Sequence, residues 1–137
     1  MPTSWIGSWP PCALVGDRLA HTDLRADNLL LGPDGTVTLV DWPDACRAAP
    51  WLDSVLLLIN VRLFGGIDAQ ARLIECAASF GADPVDLVGV LTGLAGYFLD
   101  GARQPAPVGL PTLRAFQRAQ GEAVLDWLSE QAVFSGR

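Results

Sequence analysis

The sequence predicts an α+β fold that is mostly helical, with one β-hairpin followed by about four helices. Two short apolar runs, residues 29–31 and 36–40, flank a Pro-Asp-Gly turn at 33–35, a pattern typical of a β-hairpin. From about Pro50 onward, apolar residues recur at spacings of three and four, which indicates amphipathic helices. With 137 residues, half of them hydrophobic, the chain is long enough to bury one core.

The residues before the hairpin divide into two parts. Residues 1–16 are rich in Trp and Pro and are expected to be irregular, either poorly anchored or folded back over exposed apolar surface of the unit formed by 17–137. Residues 18–21 are expected to form a short strand that leads into the loop at 21–28.

The four helices have recognisable ends. The first is expected to end at Gly65, the second to begin at Asp68, the third at Asp83-Pro84 and the last at Pro111. The third, running to about residue 102, is expected to be largely buried. The inward-facing residues are expected to be Trp51, Val55, Leu56, Ile59 and Leu63 in the first helix, Leu73, Ile74, Ala77 and Phe80 in the second, and Leu113, Phe116, Val124, Trp127 and Leu128 in the last.

Charge and composition exclude several classes of protein. The formal net charge is −6 and the chain has no basic cluster, which argues against nucleic-acid binding and is compatible with a cationic substrate. No apolar run reaches the length of a membrane span, and no signal peptide is evident. Cys12, Cys46 and Cys76 are far apart and odd in number, which predicts buried free thiols in a reducing cytoplasm.

The spacing of polar residues around the hairpin is the strongest functional indication. A hairpin centred between Asp34 and Gly35 would return Asp41 to the level of Asn28. An amide oxygen and a carboxylate placed together suit Mg²⁺. Asp23 lies five residues upstream of Asn28, and the order His-x-Asp-x4-Asn, hairpin, Asp is that of a kinase catalytic loop.

In detail these residues resemble the aminoglycoside phosphotransferase family, which has a protein-kinase-like fold. The family's loop usually runs His-Gly-Asp-Leu-His-Pro-Gly-Asn, and its metal motif is Asp-Trp. The resemblance is specific over about residues 17–58, and the matching residues are His21, Asp23, Leu24, Asn28, Asp41, Trp42 and Asp53. It implies the C-terminal catalytic lobe of an ATP-dependent small-molecule O-phosphotransferase. The catalytic loop would be 21–28 and the metal motif 41–43, with Mg²⁺ and ATP or another NTP as cofactors.

The resemblance assigns chemical roles to three of these residues. Asp23 would orient the acceptor hydroxyl and take its proton, whereas alone it would be interpreted as a turn-capping residue. Asn28 and Asp41 would bind Mg²⁺ and, through it, the nucleotide, although an Asn and an Asp that end paired strands are ordinary. The joint spacing favours the catalytic interpretation of all three.

Four further residues surround this set. Arg25 could contact the transferring phosphate or be an exposed loop arginine. His21 is expected to hold the loop through hydrogen bonds, and Asp53 to belong to the scaffold, satisfying amides at the start of the first helix or bracing the loop. Trp42 is most simply a core residue.

The acceptor is less well defined. Glu122, Asp126 and Glu130 share one helix face; the family uses acidic residues of this lobe to hold amino groups, but a solvated face is the favoured interpretation. The loop departs from the family pattern at Thr22, Arg25, Ala26 and Asp27, which leaves the substrate open. We expect a small hydroxyl-bearing compound, with cationic compounds as one candidate class.

The chain contains no lysine, and its first 20 residues contain no glycine-rich phosphate loop. Kinase-like enzymes use both to hold the nucleotide. We therefore expect a lobe that lacks its nucleotide-covering partner, to be supplied by a separate N-lobe or a second copy, and expect the isolated chain to be inactive or weakly active. The main alternative is a non-catalytic lobe that binds a partner or ligand. A weaker one is a helical interaction module that carries the motif by chance.

Overall fold

A computed structural model describes residues 15–65 and 68–135, with side chains described as far as residue 130. The expectation for residues 1–14 lies outside this part of the chain. Within it, two small antiparallel sheets precede four helices, which confirms the mostly helical α+β class. The strands are β1 (Arg18–Ala20), β2 (Leu29–Leu31), β3 (Val37–Leu39) and β4 (Cys46–Ala48), and the helices are α1 (Leu52–Phe64), α2 (Ala69–Ser79), α3 (Pro84–Arg103) and α4 (Leu113–Ser135).

The predicted hairpin is formed by β2 and β3, with Leu29 paired to Leu39. Its register places Val40 opposite Asn28, and the Val40 N–H donates to the Asn28 carbonyl over 3.1 Å. The expectation that Asp41 lies level with Asn28 is therefore wrong by one residue. The cause is the turn, which is centred on Asp34 because the Thr36 N–H bonds to the Asp34 carboxylate.

A second sheet, which the sequence analysis missed, joins β1 to β4, with Arg18 paired to Ala48 and Ala20 to Cys46. Each strand has three residues, too few to show an alternating pattern. The chain also passes so close to β4 at Gly16 that a Cβ there would lie 2.1 Å from the Ala48 carbonyl oxygen. This sheet ties the segment before the loop at 21–28 to the segment after Asp41 and Trp42.

The helix ends largely follow the sequence prediction. Gly65 ends α1 in a left-handed conformation (φ 69°). Asp68 caps α2 by accepting a hydrogen bond from the Ala71 N–H at 3.1 Å. Asp83 caps α3 by accepting one from the Val85 N–H at 2.8 Å, and Pro84 takes the first helical position.

The core lies where α1, α3 and α4 meet, with Trp127 fully buried at its centre. The Trp127 indole N–H donates to Gln70 on α2, and the Arg62 guanidinium lies 5.6 Å from the centroid of its ring. The fully buried aliphatic residues around it are Leu52, Val55, Ile59, Leu73, Val90, Leu91, Leu94 and Val124.

Some predicted core residues are not in the core. Ile74 and Phe80 on α2 are 54% and 49% exposed, and Trp42 is 39% exposed. Periodicity predicted the correct buried face of α2 but assigned too many residues to it, because only a narrow stripe of this short helix contacts its neighbours. Cys46 and Cys76 are free, as expected, but half-buried, and Cys12 lies outside the described residues.

Helix α3 differs most from expectation. It has 20 residues, and its length and mean hydropathy of 1.3 would suffice to cross a membrane, although its apolar run was expected to be too short. Only 22% of the tested window is buried, so the helix is not largely buried as predicted. A core helix passes the same test of length and composition, and Val90, Leu91 and Leu94 do pack in the core.

Candidate active site

A cavity of about 240 Å³ opens beside the loop at 21–28. The loop supplies one wall, including Asp23 and Arg25, and Asp44 lies at the edge. The helices supply the rest: Leu56 and Asn60 from α1, Leu94, Tyr97 and Phe98 from α3, and Gln120 from α4. The arrangement brings a half-buried carboxylate to a partly apolar, concave surface, which is the usual composition of a small-molecule site.

Asp53, the second residue of α1, fastens the start of the loop. Its two carboxylate oxygens accept hydrogen bonds from the backbone N–H groups of His21 (2.8 Å) and Thr22 (2.9 Å). The carboxylate is thus used on the catalytic loop, and the N-cap position of α1, Trp51, makes no side-chain capping bond. These contacts are those expected of a residue that braces the loop.

Thr22 holds a backbone conformation that is unfavourable for a β-branched residue, with φ at 66°. Its hydroxyl donates to the Asp44 carbonyl over 3.0 Å, which adds to the bond that its N–H makes to Asp53. Because of this turn, the loop reverses direction between His21 and Asp23.

His21 is fully buried and links the loop to the end of β3. Its Nδ1 accepts a hydrogen bond from the Asp23 N–H (3.3 Å), so the proton lies on Nε2, which donates to the Val40 carbonyl (2.9 Å). Its ring also lies 4.5 Å from that of Trp42. His21 therefore contacts both halves of the candidate site, and no nitrogen is left for a substrate.

Asp23 is held from two sides. Its Oδ1 lies 3.4 Å from Arg25 Nε, and its Oδ2 accepts a hydrogen bond from the Asn28 amide at 3.3 Å. Burial raises the pKa of Asp23, while the nearby Arg25 charge and the Asn28 hydrogen bond oppose that rise. A raised pKa makes this carboxylate a better proton acceptor than an exposed one.

Arg25 pairs with two carboxylates, Asp23 and Asp27, and its Nη2 lies 3.1 Å from Asp27 Oδ2. Its Nε is buried and makes no hydrogen bond within the described residues, although Asp23 Oδ1 lies 3.4 Å away. A guanidinium carries more N–H donors than these pairs use, so it retains the capacity to bind an additional anionic oxygen.

Asn28 is oriented by its neighbours at the end of a 3₁₀ turn, Ala26–Asn28. Its Nδ2 donates to the Asp23 carbonyl at 2.8 Å as well as to the Asp23 carboxylate. Its Oδ1 accepts no hydrogen bond from the described residues. The amide oxygen is thus the atom free to bind a cation.

Asp41 follows Val40, the residue bonded to Asn28, and has φ at 63°. This left-handed turn redirects the chain at the end of β3, and the exposed Asp41 carboxylate makes no hydrogen bond or ion pair with the described residues. In residues 15–65 and 68–130, no three His, Cys, Asp or Glu side chains are grouped as a metal site. One amide oxygen and one carboxylate still fit Mg²⁺, which takes few protein ligands and completes its shell with phosphate and water.

Two functional candidates were missed from the sequence, Asn60 and Gln120. Both are buried, and the Gln120 amide donates to Asn60 Oδ1 (3.1 Å) while Asn60 donates to the Leu56 carbonyl (3.1 Å). An indication was present, because each is a polar residue on an otherwise apolar helix face. Asp44, a third omission, could be placed only by the β1–β4 sheet.

The acidic stripe on α4 lies away from this cavity. Glu130 pairs with Arg62 at 2.6 Å, and Glu122 and Asp126 border a different hollow, beside Asp68. The structure therefore links His21, Asp23, Arg25, Asn28 and Asp53 in one series of contacts, places Asp41 one residue beyond the Val40–Asn28 pair, and leaves the stripe apart. This arrangement is consistent with the favoured interpretation of the stripe as a solvated face.

Comparison with known sequences agrees with this geometry. The sequence profile of the Phosphotransferase enzyme family matches residues 5–87, more than half of the chain and every loop residue described above. No curated protein and no solved structure matches the chain.

Proposed function

The chain belongs to the Phosphotransferase enzyme family, and we propose that it forms the catalytic lobe of an ATP-dependent kinase for a small hydroxyl compound. The observation that carries the proposal is the convergence of Asp23, Asn28 and the end of β3 through direct hydrogen bonds. Phosphoryl transfer is catalysed mainly by positioning and charge, so a constellation held this closely is what the reaction requires.

Asp23 is the proposed base. The acceptor oxygen attacks the γ-phosphorus, and the bond between the γ-phosphorus and the bridging β-phosphate oxygen breaks. The acceptor proton passes to Asp23 and then to solvent. The products are a phosphate monoester and ADP. The half-buried position and raised pKa of Asp23 support this role.

Asn28 Oδ1 and the Asp41 carboxylate are the proposed ligands for Mg²⁺, which when bound neutralises phosphate charge. The contacts from Asn28 Nδ2 to Asp23 hold the amide so that its oxygen points away from the base. In this proposal the left-handed turn at Asp41 would direct the second ligand, and that role would account for its unfavourable backbone conformation.

Arg25 is the proposed contact for the transferred phosphoryl group. Its place on the wall of the cavity beside Asp23 supports this role, since a guanidinium can bind a phosphate oxygen as well as a carboxylate. The pairs with Asp23 and Asp27 hold the guanidinium near the loop until the nucleotide is bound.

Calorimetric titration with Mg²⁺-ATP, followed by an assay of ADP formation with small alcohols, tests the proposal. We expect Asp41→Asn and Asn28→Ala to weaken Mg²⁺-ATP binding by about tenfold or more. The first replaces a charged metal ligand by a neutral one, and the second removes the amide ligand. We expect Asp23→Asn to lower kcat by about 10²- to 10⁴-fold with little change in nucleotide affinity. The matched control is Asp34→Asn in the hairpin turn, which should change neither quantity.

Binding that is equally strong in Asp41→Asn and Asp34→Asn would contradict the metal assignment. Turnover that survives Asp23→Asn would contradict the assignment of the base.

A second candidate is a lobe that binds ligands without transferring phosphate. The absence of lysine from all 137 residues favours it, because kinase-like enzymes hold the nucleotide phosphates with one. This candidate predicts no ADP formation by the chain, whether alone or mixed with a separate nucleotide-covering lobe. Measurable transfer by the chain would exclude it.

We further propose a cytoplasmic location, which the free thiols of Cys46 and Cys76 support.

A further inference from the structure

A second hollow of about 350 Å³ adjoins the cavity described above, and Arg25 and Asn60 line both. Its outer wall is apolar and consists of Phe64, Leu110, Leu113 and Phe116. We propose that this apolar hollow binds the hydrophobic part of the acceptor, an amphiphilic alcohol whose hydroxyl reaches Asp23. The inference rests on the proposed function and specifies its substrate class.

The chain builds the hollow from ordered elements. Phe64 ends α1, Leu113 and Phe116 begin α4, and Leu110 lies in the preceding loop. That loop is fastened by Arg114, whose Nε and Nη2 both donate to the Pro105 carbonyl, at 3.0 and 2.8 Å. The outer wall is therefore held in place without a ligand.

Two side chains of this wall are poorly covered. Phe64 is 73% exposed and Leu110 is 54% exposed, although both border a concave surface. Covering the exposed apolar side chains around a hollow with an apolar group is favourable, because it removes apolar surface from water.

The partition between the two spaces is polar and fixed. Arg25 is held by Asp23 and Asp27, and the buried Asn60 amide is held by Gln120 and the Leu56 carbonyl. A ligand that spans the partition would meet carboxylates and amides at one end and hydrocarbon at the other.

The charges define the compound further. The cavity is lined by Asp23 and Asp44, whereas Asp27, the one acidic residue among the described residues that line the hollow, is already paired with Arg25. A polycationic ligand would find no free partner in the hollow, whereas an aromatic ring or short alkyl chain would. Each space is near or below the roughly 300 Å³ lower limit of common ligand sites, so the ligand is small.

The test compares two alcohols that share a four-carbon chain, 4-phenylbutan-1-ol and butane-1,4-diol. Each is titrated into the ¹⁵N-labelled full chain, and amide shifts are followed by NMR. We expect the phenyl compound to bind at least about fivefold more tightly and to shift Ala26, Thr112 and Leu113, because its ring buries apolar area in the hollow. Equal affinity of the two alcohols would overturn the inference.

Variants locate the site. Phe64→Ser and Leu110→Asn alter exposed wall residues, so the fold should survive, and we expect each to weaken binding of 4-phenylbutan-1-ol by at least about threefold. The controls, Phe80→Ser and Leu125→Asn, make the same replacements at apolar side chains outside the hollow that are 49% and 47% exposed. Controls that weaken binding as much as the wall variants would also overturn the inference.

A parallel assay with Mg²⁺-ATP separates this inference from the proposed function. Phosphate ester detected by ³¹P NMR in favour of the phenyl compound supports both. Equal transfer to the two alcohols overturns the inference and leaves the kinase proposal intact. Binding in the hollow without transfer, whether the chain is alone or mixed with a separate nucleotide-covering lobe, overturns the kinase function and supports the hollow as a ligand site for amphiphilic alcohols.

Discussion

Thr22 illustrates how single residues shape this site. Its φ of 66° is costly for a β-branched residue, by about 1–3 kcal/mol, and the related loop pattern usually has Gly at this position. Three hydrogen bonds offset the cost here: the backbone N–H groups of His21 and Thr22 donate to the Asp53 carboxylate, and the threonine hydroxyl donates to the Asp44 carbonyl. The Thr22 hydroxyl thereby ties the backbone of Asp44, a residue that lines the cavity, to this loop.

Asp23 gives a prediction at the same scale. Burial raises its pKa above the ordinary value of 3.8, so in the acidic range the folded protein binds the proton more tightly than the unfolded chain does. The stability that the protonated Asp23 contributes is complete below pH 3.8 and is lost as pH rises through the raised folded-state pKa. Wild type should therefore gain stability relative to Asp23→Asn as pH falls through this window. Urea unfolding of both proteins between pH 7 and pH 3 measures the difference, and a difference that stays constant or changes in the opposite direction would contradict it.

At the scale of elements, the helices are stabilised in two ways. Helices α2 and α3 are capped locally by Asp68 and Asp83, whereas Asp53 of α1 is used to hold the catalytic loop. Helices α1 and α4 are instead joined through the buried amides of Asn60 and Gln120. A buried hydrogen bond of this kind fixes how the helices align, because either group alone would lose its partner.

This amide pair gives the second prediction. Asn60→Ala and Gln120→Ala should each lower the free energy of unfolding by about 1–3 kcal/mol, and the double variant should lose less than the sum. The expected coupling energy is about 0.5–1.5 kcal/mol, measured by chemical unfolding of the four proteins. The exposed pair Arg72–Glu75, 3.1 Å apart on α2, provides the control cycle and should show much weaker coupling. Additive effects for Asn60 and Gln120 would show that the bond does not link the helices.

The whole molecule depends on contacts outside the family match, which ends at residue 87. Helices α3 and α4 supply Val90, Leu91, Val124 and Trp127 to the same core that supports the catalytic loop through α1. The loop is therefore held in place by residues far from it in sequence.

Two tryptophans test this dependence. Trp127→Ala should lower the free energy of unfolding by about 3–5 kcal/mol, because the side chain is fully buried and contacts both Arg62 of α1 and Gln70 of α2. Trp42→Ala is the matched control, since that ring is 39% exposed and its loss should cost far less. Thermal and urea unfolding measure both. A similar loss for the two variants would contradict the placement of the core.

Local features were predicted well from the sequence. The hairpin, the helix caps at Asp68 and Asp83, and the approach of Asn28 to the chain before Asp41 depend on turn chemistry and spacing over a few residues. Features that depend on distant contacts were not predicted. The β1–β4 sheet, the buried pair of Asn60 and Gln120, and the exposure of Trp42 and Phe80 each require knowledge of which element packs where.

The order of polar residues along the chain by itself predicted the type of chemistry, because a hairpin between Asn28 and Asp41 brings the two ends of that segment close together, here with Val40 opposite Asn28. Only the tertiary structure decided the surroundings of that chemistry. The helices α1, α3 and α4 close the cavity around Asp23, set its burial and create the apolar hollow beyond Arg25. Burial and cavity shape result from packing between residues distant in sequence, and spacing along the chain carries no measure of either.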